Sequence, residues 1–442
     1  TETPTIAGPG FINVRLSPQF LTRELKRIAA DLRIGVRLPQ APQTIVIDYS
    51  APNVAKEMHV GHIRSTVIGD SLSRVLDALG HRVVRQNHLG DWGTQFGMLI
   101  YGYKTFLDRE ELARDPVREM VRLYLQVRGL TKGDADDEGN VQRTRDEESV
   151  LEQCRLETAK LQAGDPENVA LWKRFMPWCM GAIEPMYERL DVQFDYYHGE
   201  SFYNPMMPGV VEDVLASGLA EVSNGAVVIF PEGKPEGVSP VLVRKRDGAF
   251  TYMTSDLATI RFRVQEWQPR AILYVVGMPQ KFHFERLFDA ARRWGYREVE
   301  LQHIAFGSVL GDDRRKLSTR NGGAAELSEL LDMAVTRGAE KYAEICCDRA
   351  ERGEEVPHLS PEERQQIAER VGLGAVKYAD LSQNRLTDYV FDWNKMLATE
   401  GNSATYMQYA YTRNQGIFRK GNVDPATLRT SPDRRCPCER CP

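Results

Sequence analysis

The sequence predicts an α/β protein, a parallel sheet interrupted by a large insertion and followed by a partial α-helical bundle. Three observations carry this. Residues 43–50, "QTIVIDYS", hold the β-branched run Thr44–Ile47, which reads as a buried strand broken by Pro52 and Asn53. From His62 onward Ile63, Val67, Ile68, Leu72, Val75, Leu76 and Leu79 recur at helical spacing until Gly80, and "HRVVRQNHLGD" follows as a second strand. A further strand returns only at "RAILYVVG", residues 270–277. That distance leaves about 103–250 as an insertion in a domain spanning 41–379.

The remaining stretches fit around this core. Residues 1–40 are short of core-forming material and read as the end of a preceding unit plus a linker. Between Gly133 and Ser149 stand seven acidic and two basic side chains, a solvated loop and helix face. From about Pro361 the pattern is helical, with a bundle beginning near Asp380 and ending near Gly421. The last segment, 422–442, is atypical. It reads as disordered or as an altered reading frame rather than as a metal site built on Cys436, Cys438 and Cys441.

A chain of 442 residues exceeds the usual single domain, so two or three units are expected. The formal charge of −5 gives no global sign of a polynucleotide partner, although a local basic face is compatible with it. No run of eighteen apolar residues exists, and "TETPTIAGPG" lacks a signal-peptide pattern. Cys154, Cys179, Cys346 and Cys347 read as reduced thiols of a cytoplasmic protein.

Two stretches carry chemistry. His59-Val60-Gly61-His62 lies on the turn between the first strand and its helix. Unpaired N–H groups and the helix dipole favour an anion there, and Gly61 lets a ligand approach the backbone. Two imidazoles beside a phosphate can stabilise developing charge. Taken alone, the pair also fits capping or surface histidines, while a zinc site is the weaker reading because no cysteine or carboxylate triad surrounds it. In "GDDRRKLSTRNGG", residues 311–323, Lys316 sits among small polar residues, in a loop that could carry it onto a triphosphate or simply expose it.

Together these stretches resemble the two signature motifs of class I aminoacyl-tRNA synthetases, whose Rossmann-like core binds ATP between them. The resemblance narrows to the arginyl-tRNA synthetase family over roughly residues 7–420. It is carried by residues 48–100 from "DYSAPNVAKEMHVGHIRS" to "GDWGTQFGMLI", and by "GESFYNPMMPGVVEDV", "TYMTSDLATIRFR", "GAVKYADLSQNRLTDYVFDW" and "EGNSATYMQYAYTR".

The resemblance implies activation of L-arginine by ATP with Mg²⁺ and transfer to tRNA(Arg), by a cytoplasmic monomer with no membrane segment and no resident metal. It assigns ATP to His59, Gly61, His62, Lys316 and Ser318. It assigns catalysis to His59, His62, Lys56 and Lys316, with Lys56 compensating for Thr319, where a second signature lysine is usual. Arginine falls to Asp48, Asn53, His62, Tyr252, Asp256 and Gln280. Of these, Asp48, Tyr252 and Asp256 would take the guanidinium, and Asn53 and Gln280 the α-amino and α-carboxylate groups. A fixed, planar cation calls for carboxylates of this kind, and Tyr252 and Asp256 stand one helical turn apart. At its ends the chain departs from the family, which usually begins with an added tRNA-reading domain and ends in a larger bundle. A truncated, non-catalytic binding protein is therefore the alternative reading. A nucleotidyltransferase acting on a small metabolite is weaker, since the match extends well outside HxGH.

Overall fold

The computed structural model describes residues 3–31, 33–135, 141–233, 239–311, 314 and 326–424. Its centre is a five-stranded parallel sheet. In chain order it is built from β1 (Thr44–Asp48), helix α1 (Gly61–Ala78), β2 (Arg82–Asn87), helix α2 (Thr94–Phe106), β3 (Tyr196–Tyr197), helix α3 (Tyr252–Trp267), β4 (Ala271–Tyr274), helix α4 (Lys281–Trp294) and β5 (Glu300–His303). The strand order is β5-β4-β1-β2-β3.

Alternation along the strands decides which layer each residue joins. Ile45, Ile47, Val83 and Leu273 face the core shared with Ile63 and Val67 of α1. Val46, Val84, Ile272 and Tyr274 face the core shared with Leu257 of α3 and Leu287 of α4. Both faces are thus covered, which is why β1 reads as a continuous apolar run rather than as alternation. The contact with α1 is close: a Cβ at Gly69 would collide with the ring of Tyr49.

The chain between β2 and β4 leaves the sheet twice. The first excursion is helical, with helices Pro116–Thr131, Arg145–Gln162 and Pro166–Arg189 packed beside α2. The chain then rejoins the sheet edge at β3. The second excursion contains an antiparallel three-stranded sheet of Glu221–Ser223, Ala226–Ile229 and Val241–Arg244. The expected insertion of about 103–250 is therefore interrupted by a strand of the core.

After β5 come helices α5 (Leu327–Glu351), α6 (Pro361–Leu381) and α7 (Ala404–Lys420). Gly338 and Gly372 let α5 and α6 approach backbone to backbone, since a Cβ at either would strike the other helix's main chain. This segment is tied to the sheet domain through Arg64 of α1. Arg64 is 1% exposed and binds Asp380 at 3.2 Å and the Thr387 carbonyl at 3.1 Å. The Cys436, Cys438 and Cys441 tail lies outside the described residues.

Candidate active site

The site forms where β1 ends. Ser50 and Ala51 take left-handed backbone, with φ of 72° and 47°. Such strain persists only where neighbours over-determine it. Here the Ser50 N–H donates to Ser65 Oγ at 2.8 Å and the Ala51 N–H to Asn87 Oδ1 at 3.0 Å, while the hydroxyls of Ser50 and Tyr187 meet at 2.7 Å. The kink sends residues 52–59 across the carboxyl ends of the strands. The Gly90 N–H donates to the Pro52 carbonyl at 3.0 Å and the Val54 N–H to the Gly90 carbonyl at 3.2 Å. The Oδ1 of Asn53 accepts the Ala55 N–H, so the group it can offer a ligand is the Nδ2 donor.

The two signature histidine rings lie 3.8 Å apart between centroids, tilted by 33°. His62 Nδ1 accepts the His59 N–H at 3.1 Å, and His59 Nδ1 accepts the Gly61 N–H at 3.1 Å. Burial pushes His59 down to about 4 and His62 down to about 3, with the neighbouring Lys56 adding to both. Both rings are therefore neutral at pH 7. With each Nδ1 occupied as an acceptor, each Nε2 carries the proton. Neutral rings of this kind can offer a ligand hydrogen-bond donors. The positive charge beside them belongs to Lys56 and to Arg128 of the insertion helix. Lys56 is lowered by its burial and by Arg128. The first turn of α1 has no side-chain cap at Val60.

Next to the histidines lies a cavity of about 250 Å³ lined by His59, Gly61, Arg64, Gly277, Phe306 and Val309 among others. Gly277 and Phe306 are bridged, the Met278 N–H donating to the Phe306 carbonyl at 2.9 Å. Pro279 lines this cavity, and Gln280, the next residue, is exposed. Lys316, Ser318 and Thr319 lie outside the described residues.

A second, acidic group stands at the start of α3. Tyr252 and Asp256 occupy the first turns of α3, with Tyr252 73% exposed. Asp256 Oδ2 meets His283 Nε2 at 2.6 Å, and this raises the His283 pKa. Glu200, which the sequence reading did not single out, is half-buried beside them. Burial, with Asp91 and Asp256 adding, pushes its carboxyl up to about 7. Such a carboxyl waits for a cation. Its only sequence signal was its place in "GESFYNP".

Asp48 has a partner within the chain. Asp48, Gln86 and Tyr274 form one rung across β1, β2 and β4. Arg263 of α3, with no exposed surface, crosses that rung. Its Nη2 donates to Asp48 Oδ2 at 2.6 Å, its Nε to Gln86 Oε1 at 2.6 Å, and its guanidinium lies 5.2 Å from the Tyr274 ring centroid. One oxygen of Asp48 is therefore bound to the chain's own guanidinium. Asp48 thus lies at the end of β1 against Arg263, while Asp256 at the start of α3 interacts with Glu200.

Residues 27–393 match the family described as tRNA synthetases class I (R), catalytic domain. The arginine–tRNA ligase of Rhodopirellula baltica is 42% identical, over 95% of this chain and 72% of that protein. That of Shigella dysenteriae serotype 1 is 43% identical, over 97% of this chain and 71% of that protein. The chain belongs to the arginyl-tRNA synthetase family. The solved arginyl-tRNA synthetase of Plasmodium falciparum superposes with a TM-score of 0.73 at 27% identity, over 96% of this chain and 68% of that one. The Thermus thermophilus enzyme shares the fold, with a TM-score of 0.73 at 19% identity over 99% and 73%. Membership of the arginyl-tRNA synthetases brings the class I Rossmann-like core and its use of ATP. Among the described residues, no helix is long and apolar enough to cross a membrane.

Proposed function

We propose that this cleft activates L-arginine with ATP and then charges tRNA(Arg). The observation that carries the reading is the grouping of Asp256, Glu200 and Tyr252, which interact electrostatically with one another, on the same sheet domain as the histidine-bearing start of α1. Arginine fits with its guanidinium against Asp256 and Glu200, and the Nδ2 of Asn53 donates to its α-carboxylate. The adenosine of ATP takes the cavity lined by Gly61, Gly277 and Phe306. Its phosphates lie at the start of α1, where the helix dipole favours an anion, within reach of the Nε2–H donors of His59 and His62.

A carboxylate oxygen of arginine attacks the α-phosphorus in line. The bond to the bridging oxygen of the β-phosphate breaks, and pyrophosphate leaves with the electron pair. Arginyl-adenylate remains. A hydroxyl of the terminal tRNA ribose then attacks the carbonyl carbon, AMP departs, and the hydroxyl proton passes to the released phosphate. Both steps rest on positioning and on cations facing the phosphates: Lys56 and Arg128, with Lys316 joining them by family resemblance. Mg²⁺ enters with ATP, held by phosphate oxygens as part of the substrate. The same reading takes the enzyme to work as a monomer in the cytoplasm.

The test is ATP–pyrophosphate exchange with and without arginine and tRNA(Arg). Exchange that requires arginine, and is strengthened by tRNA, is expected. Exchange independent of arginine, or driven equally by lysine, would overturn the reading.

A further inference from the structure

The turn that carries Glu200 has no cap of its own. Glu200 opens the short helix Glu200–Tyr203, whose N-cap residue, Gly199, offers no side chain to the first unpaired N–H groups. A distant part of the chain takes that role. Asp91, 3% exposed in the loop after β2, accepts the Ser201 N–H on Oδ1 at 2.9 Å and the Ser201 hydroxyl on Oδ2 at 2.5 Å. The Glu200 N–H donates to the Leu89 carbonyl of the same loop at 3.0 Å. Two consecutive residues of the turn are thus held by one loop. The fit is close, since a Cβ at Gly199 would collide with the Asp91 carboxyl. The Glu200 side chain also reaches this loop: its Oε2 lies 3.8 Å from the point where a Cβ at Gly93 would stand.

The loop is anchored in turn. Trp172 of the insertion helix Pro166–Arg189 donates from Nε1 to the Asp91 carbonyl at 2.9 Å, and the Trp92 and Trp172 rings meet edge to face at 5.2 Å. The stretch from Gly90 to Gly93, which the resemblance marked without giving it a task, therefore lies between the insertion and the turn bearing Glu200.

We propose that Asp91 is a positioning residue for arginine binding, clamping Ser201 so that the neighbouring Glu200 carboxylate is held in place for the guanidinium. The inference rests on the functional reading above, in which Glu200 meets the guanidinium. A planar guanidinium binds a carboxylate in a fork of fixed geometry, so Glu200 must be held in direction as well as in place. Both oxygens of Asp91 are engaged by Ser201, and its effect on arginine passes through the turn.

The experiment measures the arginine and ATP KM in exchange with tRNA(Arg), at pH 8.5, for the native chain, S201A, S201T, D91A, E200Q and the double variant S201A/E200Q. That pH lies above the value of about 7 to which the Glu200 carboxyl is pushed, so its protonation does not enter. S201A deletes one of the two bonds and keeps the Asp91 charge. Its arginine KM is expected to rise about three- to tenfold, the range one hydrogen bond spans, with ATP KM within about twofold of native. S201T keeps the hydroxyl and should stay close to native, and D91A, which loses both bonds, should exceed S201A. S201A carries the test by itself if D91A does not fold. The double variant should match E200Q alone, because the clamp then has no carboxylate to place. The arginine dissociation constant, measured by calorimetry, should follow the same order whether or not exchange occurs. A native arginine KM in S201A, an equal rise in ATP KM, or effects of S201A and E200Q that multiply would overturn the proposal, since a merely structural bond would act on both ligands and independently of Glu200. A native arginine KM in E200Q would sink the functional reading of Glu200 together with this one. The E200Q variant thus tells the two failures apart.

Discussion

At the scale of single residues, the site separates charge from hydrogen bonding. The neutral histidines donate through Nε2, while Lys56 and Arg128 carry the positive charge. Replacing Lys56 with alanine is expected to lower kcat for activation by about ten- to a hundredfold with little change in arginine KM. That pattern marks an interaction made mainly in the transition state. Steady-state exchange at varied arginine checks it, and a native kcat would show Lys56 to be merely solvated. Glu200 makes a second prediction. Its empty-site carboxyl titrates near 7, and a guanidinium requires the ionised form. Arginine KM should therefore fall as pH rises through about 7, by up to about tenfold per unit. In E200Q the KM should be higher and nearly level with pH. A native KM that ignores pH between 6 and 8 would remove Glu200 from the pocket.

At the scale of elements, what was legible in the sequence is what local pattern dictates. The run Thr44–Ile47 became β1, and the spacing from Ile63 to Leu79 became α1. The placement of Tyr252 and Asp256 on one helical turn followed from adjacency in the chain. Illegible were pairings made across long separations. Nothing in "TIRFRV" says that Arg263 reaches Asp48, 215 residues away, and so takes one oxygen of a carboxylate expected to face substrate. Nor does a Pro-Asn turn signal show that the sharp bend lies earlier, at left-handed Ser50 and Ala51, where hydroxyls and an amide from three other elements hold it. Glu200 was hidden because its meaning comes from burial. The packing of α1 on β1 is testable directly. G69A would drive a methyl into the Tyr49 ring and should destabilise the protein by about 1–3 kcal/mol. Urea unfolding measures this, and a midpoint equal to native would show that the two elements have room to part.

At the scale of the whole molecule, two features make one working unit. The buried Arg64–Asp380 pair joins the sheet domain to the helical segment, with Arg64 also against the Phe306 and Tyr389 rings. D380N would leave a buried guanidinium without its counter-charge, a loss of about 3–5 kcal/mol. The two parts should then unfold in separate transitions by calorimetry, where the native chain gives one; a single unshifted transition would show that the pair does not couple them. The second feature is the division of the cleft proposed above, which places ATP at the start of α1 and arginine at the start of α3. The most direct test of that division is the pair of Michaelis constants of D256N, measured by exchange in the presence of tRNA(Arg). This substitution keeps the size of the side chain and removes one charge from the guanidinium site, a difference of about 1.5–3 kcal/mol. Arginine KM should rise about ten- to a hundredfold while ATP KM stays within about twofold of native. An unchanged arginine KM, or an ATP KM that rises with it, would contradict the account.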